Sequence, residues 1–323
     1  MALLPLAVGP AISATGGLRD SSLFGVDGSV MFLVTLVGSG TLEQGDISAA
    51  TDRLSQAGCT PGYSNWLEAA KAADILFAAD PKAARAALAD LGEGIDSIVQ
   101  PVATREKKLL VADMDSTMIT VECIDELADY AGIKAQIAEV TEQAMQGKLD
   151  FAEALHARVA LLKGLEDAVI DQCRTERVRL MPGAKALVGT MRARGARTVL
   201  VSGGFTRFTG PVAQEIGFEK AVANVLEIAD GRLAGTVSLP IVDAARKQEE
   251  LLAAIAEHGI DPALTLAVGD GANDIPMIEA ASLGVAYHAK EKARAAADAE
   301  IRYGDLSALL YAQGIMWRDW VND

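Results

Sequence analysis

Four short apolar runs constrain this chain more than any other feature: Leu109–Ala112, Thr198–Val201, Leu264–Val268 and Leu283–Tyr287. None alternates polar with apolar residues, which is how strands read when a parallel sheet is covered on both faces. Helical periodicity fills the intervals, over Pro182–Arg194, Phe208–Ile216, Gln248–His258 and Asp274–Ala281. Strand followed by helix, repeated, predicts a doubly wound, parallel α/β sheet of Rossmann-like type. One interval is too long for a single crossover, since from Thr117 to about Leu180 the patterns are helical only. A helical cap inserted after the first strand, over about residues 118–180, is the expectation. Gly231 and Gly235 flank a further predicted hairpin, Val225–Ile228 with Ala234–Leu239.

The first hundred residues follow another rhythm. Val30–Val37 is a continuous β-favouring run, and Ile47, Ala50, Leu54 and Ala57 have helical spacing before the stop at Gly58. Two short strands are predicted around Ser64–Leu67 and Ala73–Ala78, then Asp80-Pro81 opens a helix as N-cap and first residue. Ile95–Val99 supplies a last strand. The order β-α-β-β-α-β predicts a ferredoxin-like α+β domain over residues 28–103. It resembles the ACT-type domains that bind amino acids, as a pattern without a diagnostic ligand residue. The charged stretch Thr104–Lys108 reads as a linker to a second domain over residues 104–323, and residues 1–27 as a loosely ordered lead-in.

Composition narrows the class of function. A chain of 323 residues has room for two domains at about 100–200 residues each. With 29 basic and 44 acidic residues its net charge of −15 argues against a nucleic-acid binder, which needs a basic surface. The apolar start, Met1–Val8, has no basic flank and is cut by Pro5, so neither a secretory signal nor a membrane span is expected. Three cysteines without paired spacing, Cys59, Cys123 and Cys173, point to a reducing, cytoplasmic setting. The three histidines, His156, His258 and His288, lack zinc-ligand spacing. Trp317 and Trp320 are expected to pack a terminal helix.

Chemistry gathers at the strand ends, because every strand of an open parallel sheet points its C-terminal end at one edge. The first run ends in Asp113-Met-Asp115-Ser-Thr117, and the third in Gly269-Asp270-Gly-Ala-Asn273-Asp274. Asp113, Asp115, Asp270 and Asp274 are thereby brought together, and like charges so placed need a cation among them. An all-oxygen set suits Mg²⁺, which shares its shell with water and phosphate. Either segment alone reads as an ordinary Asp-rich turn; both together, each behind a buried strand, favour a site. A calcium loop starting at Asp113 fails, with Met118 where glycine and Ile124 where glutamate are required. The second run ends in Ser202-Gly203-Gly204, a hydroxyl and open backbone N–H groups able to cradle an anion. Lys247 supplies a cation near the start of a helix.

With these motifs in this order, residues 107–302 resemble the haloacid-dehalogenase-type phosphotransferases, and more narrowly the phosphoserine phosphatases. The narrower likeness rests on Asp113–Ala128, Gly147–Phe151, Arg158–Leu162, Val201–Phe205 and Val268–Asp274. It implies Asp113 as nucleophile and Asp115 as general acid and base. Mg²⁺ would be held by Asp113, the Asp115 carbonyl and Asp270, with Asn273 and Asp274 orienting the shell. Ser202, Gly203 and Lys247 would hold the phosphoryl oxygens, with Thr117 in support. Glu122 would meet the ammonium of O-phospho-L-serine, Arg158 its carboxylate, while Met145 and Phe151 shut out water. The implied activity is hydrolysis to L-serine and phosphate, the last step of L-serine biosynthesis. Two alternatives stand beside it: transfer of the phosphoryl group to homoserine or another alcohol, and an amino-acid sensor with a vestigial phosphatase fold. The ACT-like unit leaves open a homodimer and an amino-acid effector.

Overall fold

The computed structural model describes residues 31–321, apart from the side chain of Met145. The expected lead-in, residues 1–27, lies outside the described residues.

The chain begins with β1 (Met31–Gly38), α1 (Gln44–Gln56), β2 (Thr60–Glu68), β3 (Ala72–Ala78), α2 (Pro81–Leu88) and β4 (Ile95–Pro101). The strands form an antiparallel sheet of order β2-β3-β1-β4, the ferredoxin-like arrangement. Period-two alternation on β1 sorts its side chains. Val34 and Leu36 join Ile75, Phe77, Leu54 and Leu88 in a core under the two helices. Val37, with Ala72 and Ile98, turns to the other face and joins the main core of the molecule. Asp80 accepts the Lys82 amide at 2.8 Å with Pro81 at the first helical position, so α2 starts where cap chemistry places it.

The charged stretch after β4 is packed rather than solvated. Arg105 grips Asp74 through two hydrogen bonds of 2.8 and 3.1 Å and donates to the carbonyls of Tyr311 and Ala312. Lys107 is 1% exposed, with Nζ 3.3 Å from the Ala263 carbonyl, and burial draws its ammonium down to about 8. A charged run therefore joins the two sheets by filling the space between them.

Beyond it lie β5 (Leu109–Ala112), β6 (Arg197–Phe205), β7 (Lys220–Asn224), β8 (Leu226–Ala229), β9 (Arg232–Val237), β10 (Thr265–Gly269), β11 (Leu283–Tyr287) and β12 (Ala299–Ile301). Six of them make a sheet of order β12-β11-β10-β5-β6-β7, every neighbouring pair parallel. The predicted runs match four of these; β7 and β12 escaped notice because β7 starts exposed and β12 has three residues with Glu300 in the middle. Helices α7 (Ala184–Ala193), α8 (Thr206–Ile216), α9 (Ala244–His258), α10 (Ile275–Ala280) and α11 (Glu291–Ala296) connect the strands. Between β5 and α7 come α3 (Cys123–Tyr130), α4 (Lys134–Met145), α5 (Phe151–Leu161) and α6 (Ala168–Arg177), the helical cap. The antiparallel hairpin β8–β9 docks on it, Gly164 N–H donating to the Leu233 carbonyl at 2.8 Å.

The C-terminal expectation needs correcting. The last helix, α12, spans Ala308–Ala312, upstream of both tryptophans, and Trp317–Asp319 is one 3-10 turn. Trp320 packs its ring 5.0 Å from that of Tyr311 and donates to the Ile315 carbonyl, whereas Trp317 is exposed. The three cysteines are free and buried. Among the described residues no helix is long and apolar enough to cross a membrane.

β5 is the first strand of the parallel sheet yet sits inside it, with β6 and β7 added on one side and β10 to β12 on the other. The order reverses there, which opens a crevice at the C-terminal strand ends.

Candidate active site

Strand register sets the floor of that crevice. Ala112 pairs with Val268 on one side and Leu200 on the other, so Asp113 and Asp270 leave the sheet at nearly the level where Ser202 stands in β6, just past its regular pairing at Val201. After β5 the chain turns tightly, with the amides of Thr117, Met118 and Ile119 all directed to the Met114 carbonyl. Ser116 takes a left-handed conformation at φ 56° to make this turn. Its hydroxyl donates to Glu122 at 2.7 Å. The turn therefore places Asp113, Asp115 and Glu122 around one cavity of about 510 Å³.

Phe151, Arg158, Gly203, Asp270 and Asn273 also line this cavity. Phe151 opens α5 behind an Asp150 cap whose carboxylate takes the Glu153 amide at 2.8 Å. Arg158, seven residues on, falls on the same helical face. Ser202, Lys247, Asp274 and Thr117 lie beneath the cavity wall, all fully buried. Thr117 Oγ1 has no hydrogen-bond partner among the described residues. Met145 ends α4, and its side chain lies outside the described part of the structure.

Charge on the floor is unbalanced. Lys247, at the start of α9 and 0% exposed, donates to Asp113 and, at 2.7 Å, to Asp274. Burial works against its charge, but these two carboxylates hold the ammonium above its ordinary range. The other oxygen of Asp274 accepts the amides of Asp270 and Gly271 at 3.2 and 2.9 Å. Asp274 is thus fully used, whereas the Asp270 carboxylate, in a residue only 9% exposed, forms no ion pair among the described residues and is met only by its own backbone amide. Burial and the charge of Asp274 push Asp270 up to about 6. Burial, then Asp274, raises Asp113 well above the usual carboxylate range. Oxygens of Asp113, Asp270 and Asp274 lie within 4.8 Å of one another. Three hard carboxylates against one ammonium leave the deficit that a small dication fills, and oxygen-only donors fit Mg²⁺.

Asp115 is held differently. One oxygen accepts the Cys123 amide at 2.9 Å, the other the Ser202 hydroxyl at 3.2 Å, and burial raises its carboxyl. Ser202 Oγ in turn accepts the Gly204 amide at 2.8 Å. Glycine is needed at 204, because a Cβ there would stand 2.9 Å from Asp115 Oδ2.

Higher in the cavity, Glu122 opens to the cavity itself, yet protein surrounds it. This enclosure, together with Asp115, pushes its carboxyl up to about 7. Arg158 spends only its Nε, on the Ala154 carbonyl at 3.2 Å, and forms no ion pair among the described residues. Burial lowers its guanidinium, with Asp125 and Glu122 pulling the other way. One cation of this cavity was missed from the sequence: Lys290, three residues past β11. The strand-end argument covers it, but that end has no Asp- or Gly-rich signature.

Residues 110–279 match the family model of the haloacid dehalogenase-like hydrolases. The phosphoserine phosphatase of Albidiferax ferrireducens is 45% identical over 221 residues, 67% of this chain and 93% of that protein. The phosphoserine phosphatase of Streptomyces coelicolor is also 45% identical over 70% of this chain, which spans only 55% of that longer protein. A crystal structure of a probable phosphoserine phosphatase from Vibrio cholerae, in unliganded form, superposes with a TM-score of 0.69 at 34% identity, covering 88% of both chains.

Proposed function

From the premise that the chain belongs to the haloacid dehalogenase-like hydrolase family, we propose that it hydrolyses O-phospho-L-serine to L-serine and phosphate. The observation that carries this reading is one cavity with a carboxylate-rich floor and, above it, an available carboxylate, Glu122, and an available guanidinium, Arg158. A phosphate ester bearing an ammonium and a carboxylate complements that layout.

In this reading an oxygen of Asp113 attacks phosphorus while the ester P–O bond breaks. Asp115, whose carboxyl burial raises, gives its proton to the departing serine oxygen. Asp115 then takes a proton from the water that attacks phosphorus, and the P–O bond to Asp113 breaks to release phosphate. Lys247 holds Asp113 from below and offsets charge spreading onto the phosphoryl oxygens. Ser202 acts by orienting Asp115, and the Gly203 backbone faces the phosphoryl group. Asp113, the Asp115 carbonyl and Asp270 would hold Mg²⁺, with Asn273 and Asp274 behind them. When bound, the ion neutralises phosphoryl charge and orients the group for in-line attack. Phe151 covers Gly203, its ring 3.2 Å from where a Cβ would stand, and excludes water. We read residues 31–103 as an ACT-like regulatory unit.

Phosphate release from O-phospho-L-serine with Mg²⁺, with and without EDTA, tests the reading. Turnover should vanish with chelator and fall by at least about 10⁴-fold in Asp113→Asn. Slow cleavage of an aryl phosphate without turnover of phosphoserine would keep the chemistry and sink the substrate.

A further inference from the structure

Among the described residues the cavity is lined by carboxylates of Asp113, Asp115, Glu122, Asp125 and Asp270 but by only two cations, Arg158 and Lys290. We infer that Lys290 is a substrate-binding residue that grips the carboxylate of the substrate from the sheet side of the cavity while Arg158 holds it from the cap side. This inference rests on the phosphoserine reading and adds the contact that sets its preference for a carboxylate.

Depth in the cavity assigns the group that Lys290 meets. The phosphoryl group must reach Asp113, which is 4% exposed at the floor, above the buried Lys247. The α-carbon of phosphoserine lies two bonds beyond the ester oxygen, so its carboxylate stands nearer the mouth. Lys290 lines the same cavity, is exposed, and has no hydrogen bond or ion pair of its side chain among the described residues. Its charge nevertheless acts on both Glu122 and Asp270. A cation held near Glu122 would oppose the substrate's ammonium unless an anionic group of the same molecule lies beside it. The α-carboxylate, one carbon from the ammonium, is that group.

An ordinary surface lysine sits on a free loop, and this one does not. Its amide donates to the Asp270 carbonyl at 3.1 Å, tying it to the floor. Two residues earlier, the His288 amide donates to Ile301 at 2.8 Å, and its ring nitrogen Nε2 lies 2.9 Å from the Gly304 carbonyl. The turn 302–304 is fixed in its turn by Asp96 of β4, whose carboxylate accepts the amides of Arg302 and Gly304 at 2.8 and 2.7 Å. A ferredoxin-like sheet remote from the chemistry thus anchors the backbone that presents Lys290.

The test is steady-state kinetics of the full chain with Lys290→Gln and Lys290→Arg, each checked for an unchanged melting temperature. Removing one charge-assisted contact should raise KM for O-phospho-L-serine about tenfold with kcat within about twofold. Arginine should restore most of it. The inhibition constant of phosphoethanolamine, which keeps the amine and lacks the carboxylate, and KM for an aryl phosphate should stay unchanged in Lys290→Gln. Equal weakening of all three ligands would assign Lys290 to general attraction of phosphate and overturn the inference, as would an unaltered KM for phosphoserine. A wild type that never turns over phosphoserine fails separately and takes this inference with it.

Discussion

Asp74 and Asp113 are both buried aspartates, and they differ in how their charge is resolved. Asp74, in the antiparallel sheet, meets a two-pronged Arg105 and the Thr35 hydroxyl at 2.7 Å. Asp113, at the edge of the parallel sheet, shares a single lysine with Asp274 and has Asp115 and Asp270 nearby. A buried charge is costly unless paired, so the first arrangement belongs to a structure that is finished. The second is complete only with a cation and an anionic substrate present. Surplus like charge inside a protein, rather than burial of charge as such, marks the working end of this molecule.

The sharpest way to break the comparison is to neutralise each aspartate. Asp113→Asn should abolish turnover, as above, while its melting temperature in EDTA does not fall, because one repelling carboxylate has gone. Asp74→Ala should do the reverse. It strands Arg105 between the sheets and should cost about 3 kcal/mol in denaturant unfolding, with kcat unchanged under native conditions. If Asp113→Asn proves the less stable variant, the floor is not strained by surplus charge and the contrast is lost.

A smaller effect tests how tightly the working end is built. In Gly204→Ala the new methyl would lie 2.9 Å from Asp115 Oδ2 and 3.0 Å from Ser202 Oγ. Asp115 must shift, and misplacement on this scale can lower kcat by about 100-fold with KM nearly unchanged. Unaltered kcat would mean that the Ser202–Asp115 hydrogen bond does not position the proton donor.

The same contrast explains how much of this was legible in the sequence. Runs such as Leu109–Ala112 and Leu283–Tyr287 are legible because burial on both faces removes every polar alternation. The motif aspartates are legible because register, not side-chain detail, brings strand ends together. Arg105 and Lys107 were not, since a charged run reads as solvated and only tertiary packing turns it inward. Lys247 is legible as a cation at the site, but its sequestration beneath the cavity depends on Asp113 and Asp274 closing over it. Lys290 was missed because exposed lysines are common and its significance lies in what faces it.

Glu122 gives the mildest test, one of pH. Its carboxyl stands at about 7, mainly through enclosure and secondly through Asp115, with Ser116 and Lys290 lowering it and Asp270 raising it. Only its ionised form attracts an ammonium. The value of kcat/KM for O-phospho-L-serine should therefore fall by up to about tenfold per pH unit below about 7. An aryl phosphate, lacking the amine, should not follow this limb, and Glu122→Gln should lose it for phosphoserine. Stability must move the other way. A carboxyl raised on folding binds its proton more firmly in the native state, so its contribution is present at low pH and lost as pH rises toward 7. Glu122→Gln should then gain stability over the wild type as pH rises from about 4 to 7, while losing affinity for phosphoserine. A wild type whose two substrates share one pH profile would show that Glu122 is not the group that meets the ammonium, and that charge left over high in the cavity serves another end than charge left over on its floor.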